Sequence, residues 1–265
     1  MNRLRVTILG CGSSGGVPRI GGHWGECDPM NPLNTRQRCS VLVERVSPAG
    51  TTRVLIDTSP DMRAQLLRAG VSTLDAVVYT HAHADHVNGI DDLRQITFNT
   101  GARLPVWADG ETQDALLARF GYAFVQPEDS SYPPICDLHT IRETFRIDGA
   151  GGPIALTPFR VLHGDTDALG FRIANFAYLP DVSEIPETSW PLLTGLECWV
   201  LDALRRKPHP THVHLARALE WIDRAAPAQA VLTNMHIDLD HDQVAAETPG
   251  HVRPAHDGMV LEFAL

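Results

Sequence analysis

The chain has 265 residues, 43% of them hydrophobic and 20% charged, the proportions of a globular protein and not of a disordered or fibrous one. Its 22 lysines and arginines face 32 acidic side chains, a net charge of −10, which disfavours broad electrostatic binding of nucleic acid. No apolar run approaches the ~18 residues of a membrane span, and no signal peptide is visible before the first strand, so the expected location is the cytoplasm.

The first predicted strand, residues 6–9, runs into a glycine- and serine-rich loop, Gly10-Cys11-Gly12-Ser13-Ser14-Gly15-Gly16. Residues 40–46 and 53–57 are apolar runs around Ser47-Pro48-Ala49-Gly50, the pattern of a β-hairpin. Residues 61–69 have helical spacing through Met62, Leu66 and Leu67, with Gly70 as the stop. A short buried strand at 75–80 follows, then a strand at 105–108 and a helix at 112–120. Residues 121–134, rich in Pro and Ser, read as a surface loop. Strands are predicted at 145–147, 154–162, 170–174, 176–179 and 198–201. A helix at 211–225 carries Leu215, Leu219 and Ile222 on one face, and strands at 230–233 and 259–263 close the chain. The interspersed order predicts one layered α/β domain of two sheets over residues 1–265. The five cysteines, Cys11, Cys27, Cys39, Cys136 and Cys198, are odd in number and widely spaced, so neither a disulfide framework nor a cysteine-built zinc ribbon is expected.

The chemistry concentrates in Thr80-His81-Ala82-His83-Ala84-Asp85-His86. In extended chain, side chains two apart point the same way, so His81 and His83 can converge on one point. Asp85 and His86 fall where the chain turns toward the next helix and address a second point. Imidazole nitrogen with carboxylate oxygen suits zinc, iron or manganese. One segment rarely closes two metal shells. Further ligand-type side chains stand just past β-runs: His163 in Val-Leu-His-Gly, Asp181 after Tyr-Leu-Pro, and His236 in Val-Leu-Thr-Asn-Met-His. Sheet edges are where α/β enzymes gather their sites. Each of the three, taken alone, also reads as a hydrogen-bonded residue at a strand end.

The His-x-His-x-Asp-His segment, with His163, Asp181 and His236 in that order, resembles the metallo-β-lactamase superfamily along nearly the whole chain. The resemblance implies a four-layer αββα sandwich with two mixed sheets and two divalent ions, Zn2+ or Mn2+. It assigns His81, His83 and His163 to one ion, Asp85, His86 and His236 to the other, and Asp181 to the bridge. Gly10–Pro18, Ile56-Asp57-Thr58-Ser59-Pro60-Asp61, Leu179-Pro180-Asp181-Val182-Ser183 and His209-Pro210-Thr211-His212 are similar to the phosphodiesterase branch, closest to the phosphoribosyl 1,2-cyclic phosphate phosphodiesterases and more distantly to ribonuclease Z. That branch often carries a Cys-x-Cys-x-x-Cys cluster for a structural zinc. Here Gly22-His23-Trp24-Gly25-Glu26-Cys27 keeps only Cys27, with His23 nearby, so no third, structural metal is expected.

By the same resemblance His212 is the proton donor to the leaving alkoxide, with His209 and His214 close by in sequence, and Asp85 is counted beside it among the catalytic residues. Asp57 is expected to accept a hydrogen bond from a ligand histidine. Ser13, Ser14 and Arg38 are candidates for substrate phosphate. Arg36 has either that role or an ion pair, and Arg94 is better explained by a pair with Asp91 or Asp92. Trp24 fits base stacking or core packing. The expected partner is a small phosphodiester, with no membrane and no extended nucleic acid, and a homodimer is the base-rate expectation. The readings weighed against this are ribonuclease Z-like tRNA processing, thioester or lactone hydrolysis, and a non-catalytic binding module.

Overall fold

A computed structural model describes residues 2–126, 128 and 130–265; residues 1, 127 and 129, the last two within the expected loop at 121–134, lie outside the description. The chain divides into two compact units. The first comprises Met1–Leu9, Ser40–Ala155 and Val260–Leu265, and the second Gly10–Cys39 and Leu156–Met259. Each unit is built on a mixed β-sheet.

The first unit takes strands β1 (Arg3–Gly10), β2 (Ser40–Ser47), β3 (Gly50–Ile56), β4 (Ala76–Val78), β5 (Leu104–Ala108), β6 (Cys136–Thr140) and β7 (Phe145–Ile147). Helices α1 (Met62–Ala69), α2 (Ala84–Val87), α3 (Leu93–Thr100) and α4 (Gly110–Phe120) fall between them. The second unit takes β8 (Ile154–His163), β9 (Thr166–Ile173), β10 (Phe176–Leu179), β11 (Cys198–Asp202), helix α5 (Leu215–Ala225), β12 (Gln229–Thr233), helix α6 (His241–Glu247) and β13 (Val252–Pro254). Strand β14 (Val260–Ala264) returns to the first unit.

The first sheet runs β14-β1-β2-β3-β4-β5-β6. Its β1/β14 and β2/β3 pairs are antiparallel, and β3 through β6 are parallel. All of β4 is buried, as expected for a parallel strand covered on both faces, which explains why Ala76-Val77-Val78 is apolar without alternation. The core of this unit gathers Leu42, Leu55, Val77 and Val106 from the sheet with Met62, Leu66, Leu93 and Ile96 from α1 and α3. Gly70 ends α1 in the left-handed region at φ 67°, where its N–H reaches the carbonyls of Leu66 and Leu67. In the second unit β13-β12-β11-β10-β9-β8 are neighbours, β10 to β13 parallel and β8 to β10 antiparallel. Helix α5 buries Leu215, Ala218, Trp221, Ile222 and Ala225, a stripe at helical spacing. Trp221 meets Trp190 edge-on, and Arg224 caps that ring 3.9 Å above its centroid while pairing with Glu187.

Several predicted bounds move for identifiable reasons. Strand β3 starts at Gly50, not Arg53, because Ser47 pairs with Gly50 across a two-residue turn and the buried Thr52 hydroxyl reaches Gly152 O. It stops at Ile56 because Asp57 has φ 65°. Helix α5 starts at Leu215, not Thr211. Val213 N–H bonds Val182 O and Val213 O accepts from Leu204 N–H, so residues 211–214 stay outside the helix, with His214 extended at its N-cap. Strands β6 and β13 and helix α6 were not predicted. β6 alternates with polar Asp137 and His139, β13 is only three residues, and α6 is announced only by its N-cap, Asp240. All five cysteines are buried, and none of them forms a disulfide. Among the described residues no helix is long and apolar enough to cross a membrane.

Candidate metal centre

In the first unit, the end of β4 delivers the histidine motif and the end of β3 delivers its anchor. Asp57 N–H bonds Val78 O at 2.9 Å, and the left-handed turn points the Asp57 carboxylate at the residues just past β4. Its Oδ1 accepts from Thr80 N–H at 2.8 Å. Its Oδ2 accepts from the Thr80 hydroxyl and from His86 Nδ1, each at 2.8 Å. The Thr80 hydroxyl has then given its proton away, so at 2.9 Å it accepts from His81 Nδ1. Both rings therefore carry Nδ1–H and keep a lone pair on Nε2, the form a metal ligand needs. The His81 ring centroid lies 4.6 Å from that of His83 and 4.4 Å from that of His86. His86 Nε2 is 3.6 Å from Asp85 Oδ2. His81 and His86 are buried, Asp85 is half-buried and His83, the N-cap of α2, is exposed. Burial pushes the Asp57 carboxyl up, against the opposing pull of His86. Gly89 lets α2 lie close to this anchor: its N–H bonds Thr58 O at 2.9 Å, and a Cβ there would collide with the Ser59 carbonyl.

The second unit brings His163, Asp181 and His212 together, with one ligand atom of each within 4.8 Å of the others. His163, the last residue of β8, donates Nδ1–H to Thr211 O at 2.6 Å, which leaves Nε2 as the lone-pair nitrogen, 3.8 Å from Asp181 Oδ1. His212 places Nδ1 2.9 Å from Asp202 Oδ2 and 3.6 Å from Asp181 Oδ1. Asp202, at the end of β11, is fully buried and also accepts from Val182 N–H at 3.2 Å. Burial pushes its carboxyl up, with His212 pulling the other way. Asp202 on Nδ1 fixes the orientation of the His212 ring and places its proton-bearing Nδ1 on the buried side. His209 bonds the Thr211 hydroxyl within its own loop, and burial, then His212, Arg205 and His236, hold its pKa down. His214 is the N-cap of α5.

The structure does not bring His236 into that group. Asn234, at φ 60°, turns inward, and its Nδ2 donates to Asp181 Oδ1 at 3.1 Å and Pro180 O at 2.9 Å. Two residues later the His236 ring faces another way, with Nδ1 bonded to Asp238 Oδ1 at 3.1 Å and Nε2 engaged by the Arg19 guanidinium. Ser13 is buried and Ser14 exposed in a turn closed by Gly16 N–H to Ser13 O, with the half-buried Arg38 side chain alongside Gly16. Arg36 is buried and bonds Leu239 O at 2.7 Å, Asn34 Oδ1 at 3.2 Å and His236 O at 3.4 Å, so its bonds tie backbone together. Arg94 pairs with Asp91 at 3.5 Å. Trp24 is half-buried. The Cys27 thiol donates to Ile237 O, and His23 is exposed on its loop. Sequence reasoning missed Asp202, Thr80 and Asn234. The only available signal for Asp202 was its place at the end of an apolar run, the same signal that marked Asp181.

The donor set suits a transition metal: neutral imidazoles with their second nitrogens tied, and carboxylates beside them. The family described as "Beta-lactamase superfamily domain" matches residues 52–237. The chain belongs to that superfamily of hydrolases, and its α/β architecture of two mixed sheets is the metallo-β-lactamase fold. Within the superfamily, a crystal structure described as a new diphosphatase from the PhnP family is 38% identical, with a TM-score of 0.87 over 99% of this chain and 98% of that one. At that identity and coverage the chain belongs to the PhnP family. An octanoyltransferase of Porphyromonas gingivalis is 33% identical over 97% of this chain but only 51% of its own length. A ribonuclease Z of Mycobacterium sp. is 28% identical over 63% of this chain and 60% of its own. The chain thus spans between half and about three-fifths of the length of these two curated relatives.

Proposed function

We propose that this β-lactamase superfamily chain is a metal-dependent phosphodiesterase acting on a small cyclic or nucleotide-like phosphate ester. The observation that carries the reading is His212, held by buried Asp202, within reach of the His163–Asp181 pair. That is a proton donor set beside metal-type ligands. In this reading His81, His83 and His163 would hold one divalent ion, Asp85 and His86 would serve the other, and Asp181 would serve both, with Zn2+ or Mn2+ as the ions. When bound, such ions lower the pKa of a shared water and neutralise phosphate charge. The chain's own residues do the rest. Asp57 and Thr80 hold the rings of His81 and His86, Thr211 O holds His163, and Asp202 keeps His212 oriented and protonated until Nε2–H passes to the leaving alkoxide. Ser13, Ser14 and Arg38 would meet the phosphate.

The net charge of −10 favours a small substrate over tRNA. The octanoyltransferase name is not carried over, since the match covers half of that protein. The buried cysteines outside any disulfide agree with a reducing, cytoplasmic setting. We read the two units as one working domain and a homodimer as the default assembly. The test is hydrolysis of bis(p-nitrophenyl) phosphate by the full chain, with metal content of the same sample read by elemental analysis. Turnover with about two ions per chain supports the reading. A metal-loaded but silent protein moves it to thioesters or lactones.

A further inference from the structure

The segment from Asn234 to Asp240 sends its polar side chains in two directions. Asn234 is buried at 2% exposure, and both partners of its Nδ2, Asp181 Oδ1 and Pro180 O, are pure acceptors, so the amide orientation is fixed. The same Nδ2 lies 3.4 Å from His212 Nδ1. His236 belongs to a different network. Its Nδ1 is bonded to Asp238 Oδ1, which leaves Nε2 as the nitrogen a ligand histidine would use, and a cation, the Arg19 guanidinium, stands on it. Arg19 is exposed, and its side chain runs past the bare Cα of Gly15, where a Cβ would lie 3.2 Å from its Nε. The backbone of His236 is pinned as well, N–H to Leu204 O at 2.9 Å and carbonyl to Arg36.

We propose that this segment meets the metal centre through Asn234, as the donor that orients the shared carboxylate Asp181, and that His236 is not a metal ligand. The proposal rests on the reading of the chain as a dinuclear hydrolase. It makes the two ions unequal. The ion assigned to Asp85 and His86 is one imidazole short of the set the resemblance implied, so it leaves at lower chelator concentration than its neighbour.

The experiment is reconstitution of the full chain with Zn2+, and separately Mn2+, followed by chelator competition with the ions retained counted by elemental analysis. Three proteins are compared: wild type, Asn234→Gly and His236→Ala. Glycine adopts the left-handed backbone of Asn234 freely, so Asn234→Gly removes the amide without straining the turn. Asn234→Asp, which sets a second carboxylate against Asp181, is the alternative if the glycine variant does not fold. The expected result is two-step release from wild type, retention loosened roughly 10–100-fold in Asn234→Gly, and a shift of less than roughly tenfold in His236→Ala. Loss of an ion or looser retention of tenfold or more in His236→Ala overturns the proposal, as does an unchanged Asn234 variant. A wild type that takes up no metal sinks the hydrolase reading itself, a separate outcome.

Discussion

Replacing Asp57 with Asn exchanges one oxygen for an NH2 and should reverse the protons on two histidines. Oδ1 can still accept from Thr80 N–H. At the Oδ2 position, where the Thr80 hydroxyl and His86 Nδ1 both donate at 2.8 Å, the variant now presents a donor. His86 must accept there instead, which moves its proton to Nε2. The Thr80 hydroxyl, now receiving from the amide, turns its proton toward His81 Nδ1 and drives the same change in that ring. Losing one outer partner of a ligand costs roughly 10–100-fold in metal affinity. Two rings switch together here, so the expected loss lies at the upper end, about 2.7 kcal/mol. Folding stability should change far less, because burial already disfavours a charged Asp57 and the neutral amide escapes that penalty. Zinc competition gives the affinity, urea melts of the metal-free protein give the stability, and nitrogen NMR of labelled histidine reads the tautomers directly. The reasoning fails if Asp57→Asn holds metal as tightly as wild type, or if His86 and His81 keep their protons on Nδ1.

His212→Ala should keep its metal and lose roughly two to four powers of ten in turnover, with the smaller loss on substrates having good leaving groups; loss of metal would reassign it. Asp202→Asn should move the alkaline limb of the pH–rate profile to lower pH while leaving metal content unchanged, because it removes the charged partner of His212 and no ligand. Burial alone would raise the carboxyl of Asp240, but bonds from Asp28 N, Gln243 N, Asn34 Nδ2 and Asp242 N outweigh it and hold it below the usual range. A depressed folded value means that its stabilisation is complete above the ordinary carboxylate pKa of about 3.9 and is lost as pH falls through the lower folded value. Asp240→Asn should therefore cost about 1 kcal/mol near neutrality in chemical melts, and the gap to wild type should close as the pH falls through that lowered folded value. Arg36→Met should cost on the order of 3 kcal/mol in the same melts, since Leu239 O and His236 O lose the guanidinium together and Asn34 Oδ1 keeps only His241 N–H.

Much of this molecule was legible because its signals are local. The apolar runs at 154–162 and 176–179 fall on β8 and β10, and Gly70 ends α1 as expected. The His81–His86 motif declares itself by composition and spacing alone. What escaped depends on long-range partners. Asp202 matters because His212 returns to it from ten residues away, and residues 211–214 look helical until the bonds from Val213 to Val182 and Leu204 hold them out of the helix. Asn234 and His236 are the sharpest case. Chemistry favours the imidazole as a ligand, but one left-handed residue decides which of the two faces Asp181, and a φ angle at a non-glycine position is invisible in composition.

The pairing of β1 with β14, Leu4 opposite Phe263, also bears on the order of assembly. Closing a loop of that length in one step would cost about 5 kcal/mol of chain entropy, so this contact is a poor place for folding to begin. The β2–β3 hairpin, joined by two residues, is the cheap nucleus, and β14 docks onto a sheet already formed. Substitutions at Leu261 or Phe263 should then speed unfolding and leave the folding rate nearly unchanged, the signature of a strand that joins last.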